Sequence, residues 1–121
     1  MIVAVGLDIA DLARFERAMA GTPRLAPRLF RLSELELEGR QRSLRSLAGR
    51  FAAKEAVFKA LGGQTNRWHD VEIVSAASGE PSVTLHDEAL ELAEARGASR
   101  WHVSITHDGG LAAAVAVLES A

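Results

Sequence analysis

Two carboxylates and one ammonium group carry the chemistry that this chain offers most directly. Asp8 is the only charge in the apolar run Ile2-Val3-Ala4-Val5-Gly6-Leu7-Asp8-Ile9, and Glu55 interrupts an apolar helical stripe, with Lys59 one turn further on. A carboxylate in an apolar setting loses hydration unless a cation or hydrogen-bond donors compensate it. Two such carboxylates suit Mg²⁺, which commonly takes one or two of them, keeps several waters and draws its remaining oxygens from substrate phosphates. A lysine beside that ion would stabilise charge on a transferring or leaving phosphate. Plainer readings stand next to this one. Glu55 and Lys59 have the i,i+4 spacing of a pair on a solvated helix edge, worth roughly 0.3–0.5 kcal/mol. An Asp at a strand end is more often a helix cap, although Asp11 is better placed to cap the helix that follows. Spacing alone does not bring Asp8 to Glu55.

The element that must position Glu55 and Lys59 is a long helix beginning near Ser43. Leu44, Leu47, Ala48, Phe51 and Phe58 recur at three- and four-residue steps along it, and Gly62-Gly63 stops it. The chain has twelve Arg but only two Lys, Lys54 and Lys59, and both are in this helix. A compact charge or a transferable proton distinguishes lysine from arginine, which directs attention to the stretch.

Around it the pattern predicts a strand over Ile2 to Ile9, buried on both faces, and a helix from Leu12 to Ala20 with Leu12, Phe15 and Met19 inward. Thr22-Pro23 can open another helix, with Leu25, Leu29 and Leu32 as its stripe, and Ser33 opens a short one ending about Gly39. Val71 to Ser75 and Ser82 to Leu85 read as a hairpin, Asp87 as the cap of a helix running to about Arg96, and 101–107 and 111–118 as a closing pair of strands. The order predicts a single α+β domain over 1–121, with a mainly antiparallel sheet and a long central helix.

Composition narrows the function classes. The chain has no cysteine, so disulfides, thiolate metal sites and a Cys nucleophile are excluded. No apolar run has the length of a membrane span and no basic leader precedes one, which makes the cytoplasm the default location. Residues 12–60 carry eleven basic and five acidic side chains (+6), whereas 61–121 carry three and nine (−6). A basic half suits an anionic partner or ligand, although plain charge alternation also produces one. Stacking aromatics are scarce among these arginines, which argues against single-stranded nucleic acid. No Ser-His-Asp order, nucleotide-triphosphatase phosphate loop or HExxH pair is present. Of four histidines only His107, at a strand end, could reach a phosphate or an active-site cleft, although a lone histidine there is more often structural.

Four stretches are similar to one family. Gly6-Leu7-Asp8-Ile9 with Arg14-Phe15, the run Arg50-Phe51-Ala52-Ala53-Lys54-Glu55-Ala56-Val57-Phe58-Lys59-Ala60, Gly79-Glu80-Pro81, and His102-Val103-Ser104-Ile105-Thr106-His107 together resemble the bacterial holo-[acyl-carrier-protein] synthases, the short branch of the 4′-phosphopantetheinyl transferase superfamily. The resemblance implies transfer of 4′-phosphopantetheine from coenzyme A to a serine of apo acyl carrier protein, of fatty-acid or polyketide type, with adenosine 3′,5′-bisphosphate as the other product. It implies Mg²⁺ on Asp8 and Glu55, Lys59 near the diphosphate, and a homotrimer with active sites between subunits. Glu55, directly or through a metal-bound water, is then the candidate base and His107 a lining residue. Arg45 and Arg50 are candidates for the 3′-phosphate, Gly62 is counted with the coenzyme A side, and Arg14, Arg17, Arg24 and Arg28 are the docking charges for an acidic carrier. Thr106 stands where many relatives have Ser, and the acidic turn Asp108-Gly109-Gly110 offers coenzyme A no cation. A Mg²⁺-dependent diphosphate hydrolase could use the same carboxylates with water as nucleophile. A carrier- or nucleotide-binding module without catalysis would not need them.

Overall fold

Why the chain folds around the 43–62 helix is visible in its small residues. In the computed structural model, which describes all of residues 1–121, α4 (Leu44–Ala60) starts where Ser43 Oγ accepts the Ser46 amide. Ala48, Ala52, Ala53, Ala56 and Ala60 are all buried, so neighbouring backbones approach closely. The helix is enclosed on most sides, with Lys54 and Arg50 buried as well. A single apolar face is therefore the wrong description of it, and Leu44, read as part of that face, is exposed.

Strands β1 (Ile2–Asp11), β7 (Leu111–Glu119) and β6 (Arg100–Asp108) form one antiparallel sheet in the order β1-β7-β6. Its register aligns Asp8 with Ala114 and Leu7 with Val115, which in turn opposes Ser104. The inner face packs Ala10, Ala112, Ala114, Ala116 and Leu118 under α4. On β1 the outer face is apolar and open, with Val5, Leu7 and Ile9 58%, 60% and 62% exposed, whereas on β6 it presents His102, Ser104 and Thr106. The expectation of a strand buried on both faces is thus corrected; the inward residues of β1 alternate with Val5, Leu7 and Ile9, and nothing in the chain covers that outer row.

The remaining elements close the core from the other side. Helix α1 (Leu12–Gly21) is capped by Asp11, whose Oδ1 accepts the Arg14 amide at 2.9 Å. Helix α2 spans only Leu25–Leu29 and α3 Leu32–Leu35. The predicted start at Thr22-Pro23 is displaced, and Leu32, expected inward, is 72% exposed. The helix predicted to reach Gly39 ends early because Glu36–Leu37 (β2) pairs with Arg40–Gln41 (β3). Strands β4 (Val71–Ser75) and β5 (Pro81–Leu85) form a separate hairpin, tied to β6 by the Trp101 indole donating to the Val83 carbonyl at 2.9 Å. Helix α5 (Asp87–Ala95) is capped by Asp70 and not by Asp87: Asp70 Oδ2 accepts the Glu88 and Ala89 amides from a 3-10 turn at Trp68–Asp70.

Candidate active site

One close crossing brings the two carboxylates together. A Cβ on Gly6 would run into the Ala56 carbonyl oxygen and lie 2.9 Å from Ala60 N, so only glycine lets β1 lie flush on α4 here. Asp8 is two residues beyond Gly6 on the same inward face of the strand, and Glu55 is the neighbour of Ala56 on the helix. Burial first, then the Asp8 carboxylate, pushes Glu55 above the ordinary carboxylate range, while Lys59 pulls the other way. Lys59 Nζ lies 3.0 Å from Asp8 Oδ1 and donates to the Leu7 carbonyl at 3.0 Å. The i,i+4 pairing with Glu55 is thereby replaced by a pairing across elements, with Asp8.

Asp8 and Glu55 line a cleft of about 660 Å³ whose walls are Phe15, Phe51, Trp68, Leu25 and Leu29, with Arg14 and Arg28 also on it. Phe51 stacks on Trp68 at 5.3 Å and 20°, and Phe15 meets Phe51 at 5.5 Å. Arg17 and Arg24 are exposed but do not line this cleft. No third His, Cys, Asp or Glu joins the two carboxylates. Two half-buried carboxylates on one cleft, one of them paired with a lysine, match the donor set of a Mg²⁺ that keeps sites open for water and phosphate.

A second cleft, of about 320 Å³, opens at the start of α4 and is lined by Ser43, Arg45, Ser46, Arg50 and His107. Arg50 is buried; it donates from Nη2 to Ser75 Oγ, and its Nε has no partner. Burial, then Arg42, brings its pKa down to about 10, against the pull of Glu34. His107 Nε2 donates to the Arg45 carbonyl at 3.0 Å, which leaves Nδ1 free of that bond. The ring rests on Gly49, where a Cβ would lie 2.8 Å from Nε2. The two clefts share no lining residue.

Gly62 lines neither cleft. It ends α4 at φ +89, with the Arg96 guanidinium over it, and Arg96 Nη1 donates to the Ala60 carbonyl at 3.0 Å. In this chain its evident part is that of a helix stop. Sequence reasoning missed Gly6, whose role depends on a crossing between distant segments, and Phe51 with Trp68 as cleft walls. It also missed Glu34, a fully buried partner of Lys54; the visible signal was a lysine embedded in an alanine run.

Residues 4–116 match the family model described as the 4′-phosphopantetheinyl transferase superfamily. The chain is similar to the holo-[acyl-carrier-protein] synthase of Salinispora arenicola, at 53% identity over 121 residues, which covers 98% of this chain and 99% of that one. The crystal structure of holo-[acyl-carrier-protein] synthase from Neisseria meningitidis superposes with a TM-score of 0.86 at 31% identity, covering 99% of this chain and 100% of that one. The Helicobacter pylori holo-[acyl-carrier-protein] synthase in complex with coenzyme A gives a TM-score of 0.82 at 30% identity over 95% of this chain and 99% of that chain.

Proposed function

The chain belongs to the 4′-phosphopantetheinyl transferase superfamily, and from that membership we propose that it is a holo-[acyl-carrier-protein] synthase. It transfers 4′-phosphopantetheine from coenzyme A to a serine of apo acyl carrier protein and releases adenosine 3′,5′-bisphosphate. The observation that carries this reading is the convergence of Asp8 from β1 with Glu55 and Lys59 from α4 beside a cleft walled by aromatic rings and two arginines. A nucleophile approaching a diphosphate meets two negative charges, and a site of this make-up lowers them. Asp8 and Glu55 would hold Mg²⁺, which when bound neutralises the diphosphate oxygens. Glu55, on the helix wall of the cleft, accepts the serine proton as the serine oxygen bonds to phosphorus. Lys59 neutralises the phosphate oxygen whose bond to phosphorus breaks. Arg14 and Arg28 on the cleft, with Arg17 and Arg24 beyond it, attract the acidic carrier.

The second cleft supports a shared site. Arg45, Arg50 and His107 offer cationic and hydrogen-bonding groups for the 3′-phosphate, and the orphaned Arg50 Nε gains a partner when an anion enters. Because these groups and Asp8 line different clefts, one coenzyme A molecule is served by two copies of the chain. The outer sheet row Val5, Leu7 and Ile9 is the apolar surface on which a trimer packs. Incubation with coenzyme A, Mg²⁺ and apo acyl carrier protein, followed by intact mass of the carrier, tests the reading. A gain of one phosphopantetheine, abolished by chelator, is the expected result. Cleavage of coenzyme A with no carrier present identifies a hydrolase instead. Neither product, across a panel of carriers, leaves a binding module.

A further inference from the structure

The most deeply buried charges in the chain lie outside both clefts. Lys54 Nζ stands 2.7 Å from Glu34 Oε1, and both side chains are wholly inaccessible. Their hydrogen bonds reach four segments. Lys54 also donates to the Trp68 carbonyl at 2.9 Å, Glu34 Oε1 accepts the Arg31 amide at 2.8 Å, and Glu34 Oε2 accepts the Ile73 amide at 3.0 Å. A strap on the outside repeats the link: Arg31 Nε donates to the His69 carbonyl at 2.6 Å, and His69 Nε2 donates to the Pro27 carbonyl at 2.7 Å. Burial draws Lys54 below the ordinary lysine range while Glu34 pushes back. An ion pair so buried is a poor source of stability, since apolar side chains of similar volume commonly replace one at no loss. What apolar side chains could not reproduce is the set of directed bonds.

Those bonds converge on one wall of the Asp8–Glu55 cleft. Trp68 and the α2 residues Leu25, Arg28 and Leu29 form it, and Lys54 fixes it to the helical turn that carries Glu55. We propose that Glu34 and Lys54 are positioning residues that hold the Trp68–Arg28 wall at a fixed distance from Glu55, and so set affinity for the protein acceptor more than the chemical step. The inference rests on the transferase reading for its kinetic form; the clamp itself does not.

The test replaces both charges, Glu34→Leu with Lys54→Met, because either change alone would leave a buried charge unpaired. With melting temperature and circular dichroism near those of the unmodified protein, the expected result is an acceptor KM raised about tenfold, with kcat and the KM for coenzyme A within about threefold. Trp68 emission, isolated by Trp101→Phe, shifts to the red as the ring gains water. An unchanged acceptor KM, or a lowered kcat at unchanged KM, overturns the proposal. If the double variant does not fold, His69→Phe opens the outer strap with no buried charge involved. It is expected to raise acceptor KM about threefold, and no change overturns the proposal. If the unmodified protein transfers nothing, the transferase reading fails instead; Trp68 emission in the double variant still decides the clamp, and an unshifted spectrum refutes it.

Discussion

Gly6→Ala is the substitution that asks most of this geometry. The added methyl would run into the Ala56 carbonyl oxygen and stand 2.8 Å from Ala56 C and 2.9 Å from Ala60 N. All three atoms are helix backbone, so no flexible side chain can yield. Relief requires β1 to lift off α4 by about 1 Å, and overpacking of this kind costs roughly 1–3 kcal/mol. For a domain of this size that lowers Tm by about 4–12 °C. The catalytic consequence is larger, because Asp8 moves with β1 while Glu55 and Lys59 stay with α4; a misplacement of about 1 Å can cost roughly 10²-fold in rate. The assay is initial-rate arm transfer by intact carrier mass, paired with thermal melts. Gly21→Ala is the control, since its Cβ meets nothing within 4 Å and its φ is not positive. A Gly6→Ala protein that melts normally and transfers within threefold of the unmodified rate would refute the claim that this crossing assembles the site.

Glu55→Gln removes the group held above the ordinary carboxylate range, so the sign of its pH effect is fixed. Relative to the unfolded chain, the fold disfavours the ionised form of Glu55; the contribution of the protonated form is complete below the ordinary value of 4.5 and is lost as pH rises through the elevated value. In chelator, Glu55→Gln therefore melts above the unmodified protein near neutral pH and equal to it in acid, while transfer is lost; a lower Tm at neutral pH would contradict this. Leu7→Glu places a charge at the middle of the open β1 row and is expected to yield monomers by sedimentation, with transfer lost as well. An unchanged assembly would remove that face as the interface. Arg28→Glu raises carrier KM at low salt, with the difference shrinking as ionic strength rises, and coenzyme A KM unaffected. Arg17→Glu, off the cleft, has the smaller effect, and equal effects would show that the cleft does not orient the carrier.

What the sequence made legible, and what it hid, follows the reach of the signals. Ser43 and Gly62 bound α4 in the sequence because caps act within one turn, and the positions of Asp8, Glu55 and Lys59 stood out as charges in apolar settings. Their connectivity did not. The i,i+4 spacing joins Lys59 to Glu55, yet the lysine pairs with Asp8, because β1 passes within reach and no local pattern records that. The same limit explains Asp70, which caps α5 from a turn seventeen residues upstream of Asp87, and Glu34, whose partner Lys54 is twenty residues away. In β1 the alternation was present in the letters: Val5, Leu7 and Ile9 fall on one side, with Ala4, Gly6, Asp8 and Ala10 on the other. A strand with large apolar residues on the open side and small ones inside looks continuous unless the fate of the outer face is known.

The charges on α4 also account for the separation of the two clefts. Arg50 and Glu55 are five residues apart, which places them about 7.5 Å apart along the axis and about 140° apart around it. Lys54, one residue from Glu55, faces the α3 side and is satisfied there by Glu34 and Trp68. Arg50, Lys54 and Lys59 on this nearly enclosed helix thus serve different neighbours: Arg50, with Arg45, the cleft at the helix start, Lys54 the buried clamp, and Lys59 the strand that carries Asp8. A ligand touching both clefts of one copy would have to pass around a helix roughly 10 Å across. The proposed assembly, with a second copy on the open β1 row, would bring an Arg45–Arg50–His107 cleft to an Asp8–Glu55 cleft without that detour. On that proposal the uncovered apolar row of β1 and the division of the site between two clefts share a single cause.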